Sequence, residues 1–66
     1  MTLDDQLRAL QPLKPGQIAE LAGYSSGSNQ LTAFRGRGST IPAERLRAVA
    51  RRLREIAEAA EEIAGR

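Results

Sequence analysis

The chain reads as a small all-α protein, a bundle of four helices whose last member is long. Three observations carry that expectation. Apolar residues recur at intervals of three and four along four segments, the spacing that lines one face of a helix, and strand-like alternation is absent throughout. Prolines and glycines at Pro12, Pro15, Gly23, Gly36, Gly38 and Pro42 fall between those segments, where the chain must turn. Only Tyr24 and Phe34 are aromatic, and the apolar content is mostly Leu, Ile and Ala, which fits a compact helical domain better than a sheet. At 66 residues the chain is one domain, residues 1–66, too small to bury a large core by itself.

The first helix is expected from Leu3 to Gln11, with Thr2 as N-cap, Asp5 at capping-box spacing, and Leu3, Leu7 and Leu10 as its buried stripe. Asp4 and Asp5 lie at its start, where carboxylates favour the helix dipole. Pro12 and Pro15 punctuate the link, and Pro15 suits the first position of the second helix, where a missing N–H costs nothing. That helix carries Ile18, Leu21 and Ala22 on one face and ends at Gly23, because a tight exit calls for a left-handed backbone. The Ser- and Gly-rich run from Tyr24 to Ser28 is a turn that can supply a serine N-cap for the third helix. The third helix is expected from Gly27 or Ser28 to Arg35, stopping at Gly36. On it Leu31 and Phe34 share a packing face, which leaves Asn29, Thr32 and Ala33 pointing roughly the opposite way. Pro42 then opens a fourth helix that can reach Ala64, about 35 Å at 1.5 Å per residue.

Charge is segregated along the chain. The net charge is only +2, yet residues 35–54 hold Arg35, Arg37, Arg45, Arg47, Arg51, Arg52 and Arg54 against Glu44 alone, a net of +6. Residues 55–66 carry Glu55, Glu58, Glu61 and Glu62 against Arg66, a net of −3, and the first 34 residues sum to −1. A single arginine on a helix is ordinary solvated surface. Seven beside one short helix suggest a patch that faces phosphate, and arginine suits bidentate phosphate contacts better than lysine.

A short amphipathic helix, a glycine turn and a second helix with one packing face and one small, polar face form the layout of a helix-turn-helix DNA reader. In this region the chain resembles the Cro and lambda-repressor-like (XRE-type) helix-turn-helix domains of phage and bacterial regulators. The resemblance covers residues 15–53: Gln17-Ile18-Ala19-Glu20-Leu21-Ala22-Gly23, the apolar pair Leu31 and Phe34, the Arg35-Gly36-Arg37-Gly38 exit, and Ile41-Pro42-Ala43-Glu44-Arg45 opening the next helix. One departure stands out, since the run from Gly23 to Leu31 is about two residues longer than that family's usual turn. The resemblance implies a lambda-repressor-like fold and a small transcriptional regulator, a repressor of the phage, antitoxin-like or anti-CRISPR-associated kind.

The expected activity is sequence-specific binding of double-stranded DNA, as a homodimer on an inverted repeat with the third helix in the major groove. Asn29 and Gln30 can pair with adenine edges, Thr32 offers a hydroxyl and a methyl, and Ala33 lets the helix approach a thymine methyl. Ser26, Ser28, Arg35, Arg37, Arg45, Arg47 and Arg51 are the candidate phosphate ligands. On the fourth helix Leu46, Val49, Leu53, Ile56, Ala60 and Ile63 follow the three–four spacing of a coiled-coil seam, so residues 54–66 are expected as a helical extension for dimerisation, with Leu53, Ile56, Ala60 and Ile63 as the contact. The alternative is a protein-interaction module that uses the acidic end of this helix. Without Cys or His, disulfides, thiolate chemistry, zinc fingers and the commonest metal ligand are excluded, and no nucleophile sits with a base. No enzyme, cofactor or metal site is expected. No apolar run approaches the roughly 20 residues of a membrane span, and no apolar leader opens the chain, so a soluble cytoplasmic protein is the expectation.

Overall fold

The computed structural model describes residues 1–25 and 28–66, Ser28 by its backbone alone. Among the described residues there are four helices and no strand: α1 (Leu3–Ala9), α2 (Pro15–Leu21), α3 (Ser28–Arg37) and α4 (Ala43–Ala64). The all-α architecture with a long last helix is therefore as expected. The serine N-cap of α3 falls on the segment outside the described residues.

At the start of α1 the Thr2 hydroxyl accepts from the Asp5 N–H at 3.1 Å, and the Asp5 carboxylate accepts from the Thr2 N–H at 3.1 Å. Hydrogen bonds from the Thr2 backbone and hydroxyl hold the Asp5 carboxyl below its ordinary value. This cap is thus present above the unfolded-state pKa of Asp5 and is lost as pH falls through the lower folded one. The helix ends two residues before the expected Gln11. Leu10 and Gln11 are already in a turn, where the Leu10 N–H is shared between the carbonyls of Gln6 at 3.2 Å and Leu7 at 3.3 Å, and Pro12 beyond them has no N–H to continue the ladder.

Both helices of the central pair end on the same device. After α2, Gly23 (φ 89°) donates to the Glu20 carbonyl at 3.1 Å and Tyr24 to the Ala19 carbonyl at 3.0 Å. After α3, Gly38 (φ 69°) donates to the Arg35 carbonyl at 3.2 Å and Ser39 to the Phe34 carbonyl at 2.8 Å. These crossed bonds around a left-handed glycine form a Schellman motif. The expected stop at Gly36 is thereby corrected. Gly36 lies within α3, the helix runs on to Arg37, and Gly38 is the glycine whose backbone ends it.

Ile18 and Ala19 of α2 are packed with Leu31 and Phe34 of α3, Leu3 of α1 and Ile41, and Leu7, Leu10, Leu13, Tyr24 and Leu46 close the edges; Ala22, which caps α2, and Val49 of α4 are buried as well. The Tyr24 and Phe34 rings meet edge to face, 5.7 Å apart at 76°, so Tyr24 packs on the core. A polar residue interrupts the leucine stripe of α1. Gln6 is buried, its Nε2 donates to the Ile41 carbonyl at 3.2 Å, and its Oε1 accepts from the Ile41 N–H at 2.8 Å. One side-chain amide thus satisfies both backbone groups of a buried linker residue and pins the α3–α4 link to α1.

Arg45 ties α4 to the end of α2. Its Nη1 donates to the Ala22 carbonyl at 3.0 Å, and its guanidinium lies over the Tyr24 ring at 4.8 Å. A Cβ on Gly23 would stand 3.0 Å from that same Nη1, in a backbone conformation L-residues avoid. Gly23→Ala is therefore expected to destabilise by at least about 1–2 kcal/mol from the left-handed backbone alone. The melting temperature followed by circular dichroism should fall by roughly 5–10 °C. Gly23→Asn, which tolerates this conformation better, should lose less, and equal losses would place the cost in the clash with Arg45.

Helix α4 runs 22 residues from Pro42 at its N-cap, about 33 Å. Its first half completes the core through Leu46 and the buried Val49. Past the half-buried Leu53 every residue is exposed, including Ile56 at 46% and Ile63 at 64%. None of the helices is long and apolar enough to cross a membrane among the described residues.

Candidate functional site

Helix α3 divides cleanly. Leu31 and Phe34 point into the core. Asn29, Thr32, Ala33 and Gly36 are exposed, and they fall at the i, i+3, i+4, i+7 positions that form one stripe along a helix. Asn29, Thr32 and Ala33 share this face as the sequence leads one to expect, and Gly36 joins them because the helix runs past it to Arg37. The signal for this glycine is in the spacing, since Gly36 lies seven residues after Asn29. Gln30 sits instead at the edge of this face, half-buried and next to Phe34 on the helix surface.

An unexplained glycine within a helix is informative. In a helix interior glycine costs about 0.5–1 kcal/mol relative to alanine. Among the described residues, a Cβ at Gly36 would meet no atom within 4 Å beyond its own stretch of helix, and its φ is not positive. Neither packing nor backbone conformation in the described residues calls for glycine there. With Ala33 one turn earlier it makes the exposed face of α3 low in profile, so that a broad surface can approach the helix backbone.

Two arginines border this face. At 100° per residue, Arg35 and Arg37 leave α3 on opposite sides of the stripe. Arg35 reaches towards α1, where its Nη2 meets the Asp4 carboxylate at 2.9 Å with both side chains well exposed. An exposed pair of this kind is worth less than about 1 kcal/mol and yields to a better-placed anion. Arg37 is exposed and lies 5.3 Å from the centre of the Phe34 ring, which steadies its guanidinium at the rim. Each guanidinium is thus held near the stripe by a weak contact.

The remaining candidates are dispersed. Arg45 is engaged with Ala22 and Tyr24 and serves the fold first. Arg47 and Arg51 are exposed on α4. Ser26 lies outside the described residues, and Ser28 begins α3. Leu53, Ile56, Ala60 and Ile63 follow one another down the tail of α4, the first half-buried and the others exposed. Comparison with known protein families, characterised proteins and solved structures finds no match.

Proposed function

We propose that this protein is a sequence-specific double-stranded DNA-binding regulator, a repressor or autoregulator of the Cro and lambda-repressor-like type, acting as a homodimer on an inverted repeat. The observation that carries this reading is the α3 stripe Asn29–Thr32–Ala33–Gly36 bordered by Arg35 and Arg37. A helix seated in the major groove needs a narrow face with a few donors and acceptors towards base edges and cations towards the two flanking phosphate strands. Asn29 supplies a bidentate amide for adenine, and Thr32 a hydroxyl and a methyl. The absent side chain at Gly36 and the methyl of Ala33 allow close approach. Arg35, released from Asp4, and Arg37 bind phosphate.

The test is duplex binding followed by fluorescence anisotropy over a range of salt concentrations. Arg37→Ala should weaken specific and random duplexes alike and lower the steepness of log K against log salt by about 0.9, the share of one phosphate contact. Loss of preference at one base pair with an unchanged salt slope would make Arg37 a base reader. The exposed acidic tail of α4 also fits a module that binds another protein. In that case heparin retention and salt-sensitive binding of random duplex would both be weak.

A further inference from the structure

Beside the α1–α4 contact lies an open, almost wholly apolar groove of about 290 Å³, bordered by Met1, Ala9, Leu10, Leu46, Ala50 and Leu53. It leads directly onto the exposed tail of α4, where Ile56 and Ile63 meet solvent. We infer that the groove receives the α4 tail of a second copy of this chain, the two α4 helices running antiparallel about a two-fold axis at Ala57. This deepens the dimer of the preceding section and does not depend on which ligand the dimer binds.

The occupant follows from charge and from reach. Between Arg45 and Arg54 every charged residue of α4 is an arginine, and between Glu55 and Glu62 every one is a glutamate. Because α4 is a single helix of 22 residues, its acidic half cannot fold back onto its own basic half. A parallel twin would stack glutamate on glutamate, whereas an antiparallel twin sets each acidic half beside a basic one. The acidic tail is equally ill-suited to an anionic lipid surface, which attracts Lys and Arg.

The register follows from the apolar positions. Ala50, Ala57 and Ala64 are seven apart and share one line on the helix. An axis at Ala57 sets Ala57 against its counterpart and Ala50 against Ala64 of the second copy. These small contacts let the helices pack within the usual interaxial range of about 8–10 Å. Leu53 then meets Ala60 of the second copy, and Arg54 lies between its Glu58 and Glu61. Within the chain no ion pair uses Glu58 or Glu61 among the described residues. Ile56 and Ile63 project on the side of the stripe that holds Val49, and so towards the groove beside α1 of the second copy. Two grooves and two tails are satisfied at once, as an isologous contact requires.

The chain has no cysteine, so single exposed alanines can be converted without a competing thiol. Under mild oxidation and without DNA, Ala57→Cys should form a disulfide-linked dimer, because the paired Cβ atoms fall within disulfide reach. Ala64→Cys alone should not, but mixed with Ala50→Cys it should link as a heterodimer. Self-linking of Ala64→Cys would show a parallel pair and overturn the proposal. Failure of both expected links would overturn the register. Sedimentation of the parent as a monomer at tens of micromolar would overturn the pairing itself. Ile56→Asp with Ile63→Asp should sediment as a monomer with its helical circular dichroism retained, and an unchanged dimer would equally contradict it. All these readouts are independent of DNA, so their failure leaves the proposed ligand untouched.

Discussion

Replacing Gln6 by alanine is expected to be among the most destabilising single changes on α1, lowering the melting temperature by more than about 10 °C, a loss of at least roughly 2 kcal/mol for a domain this small. The reason is that both hydrogen bonds end on one buried residue, with Gln6 Nε2 donating to the Ile41 carbonyl and Gln6 Oε1 accepting from the Ile41 N–H. Removing the amide strands both backbone groups away from water, at about 1–3 kcal/mol for each unsatisfied group. Gln6→Leu should fare little better despite restoring volume and hydrophobicity, because the cost lies in the stranded groups and not in a cavity. Gln6→Glu keeps the acceptor for the Ile41 N–H but sets a second acceptor against the Ile41 carbonyl in a buried place, so at neutral pH it should be no more stable than Gln6→Ala. Thermal denaturation of the three variants checks this. A Gln6→Leu protein as stable as the parent would mean that water reaches Ile41 and that the clamp contributes nothing.

Ala33→Glu is expected to reduce duplex binding by about a hundredfold or more while leaving the fold intact. Ala33 is exposed in the middle of the α3 stripe, so a longer side chain meets no protein atom that the core depends on. Against DNA it would set a carboxylate into a phosphate-lined groove, and like-charge juxtaposition of this kind costs several kcal/mol. Gly36→Ala gives a subtler result with the opposite sign in its two readouts. Stability should rise by about 0.5–1 kcal/mol, since alanine replaces glycine in a helix with open space around the new methyl. Duplex affinity should nevertheless fall, because that methyl occupies the closest approach of the helix to its ligand. Circular dichroism and anisotropy measured on the same samples separate the two effects. A Gly36→Ala protein that is both more stable and equally tight would remove Gly36 from the interface.

The helices and their faces were legible in the sequence because each rests on a local rule. Leu31 and Phe34 three apart settle which side of α3 packs, and Thr2 with Asp5 settles where α1 begins. What was not legible depends on contacts far apart along the chain. Gln6 reads as an ordinary polar residue on a leucine helix until Ile41, 35 residues away, is brought against it. Arg45 reads as one arginine of seven until the end of α2 lies beneath it. Gly36 and Gly38 cannot be told apart as terminators by composition, because the choice depends on which of the two takes the left-handed backbone. That choice moved the site: with α3 extended to Arg37, the exposed stripe gains a fourth residue and its second bordering arginine.

The central claim is that the α3 stripe reads a duplex. Selection of bound fragments from a library of random duplexes tests it most directly, with the protein at near-physiological salt. The reading predicts enrichment of one inverted repeat whose half-sites lie about 10 base pairs apart, centre to centre. It also predicts that Asn29→Ala and Thr32→Ala lose preference at particular positions of that repeat, each worth roughly 1–3 kcal/mol. Recovery of fragments with no shared sequence, or an enriched motif read equally well by Asn29→Ala, Thr32→Ala and Ala33→Glu, would contradict it.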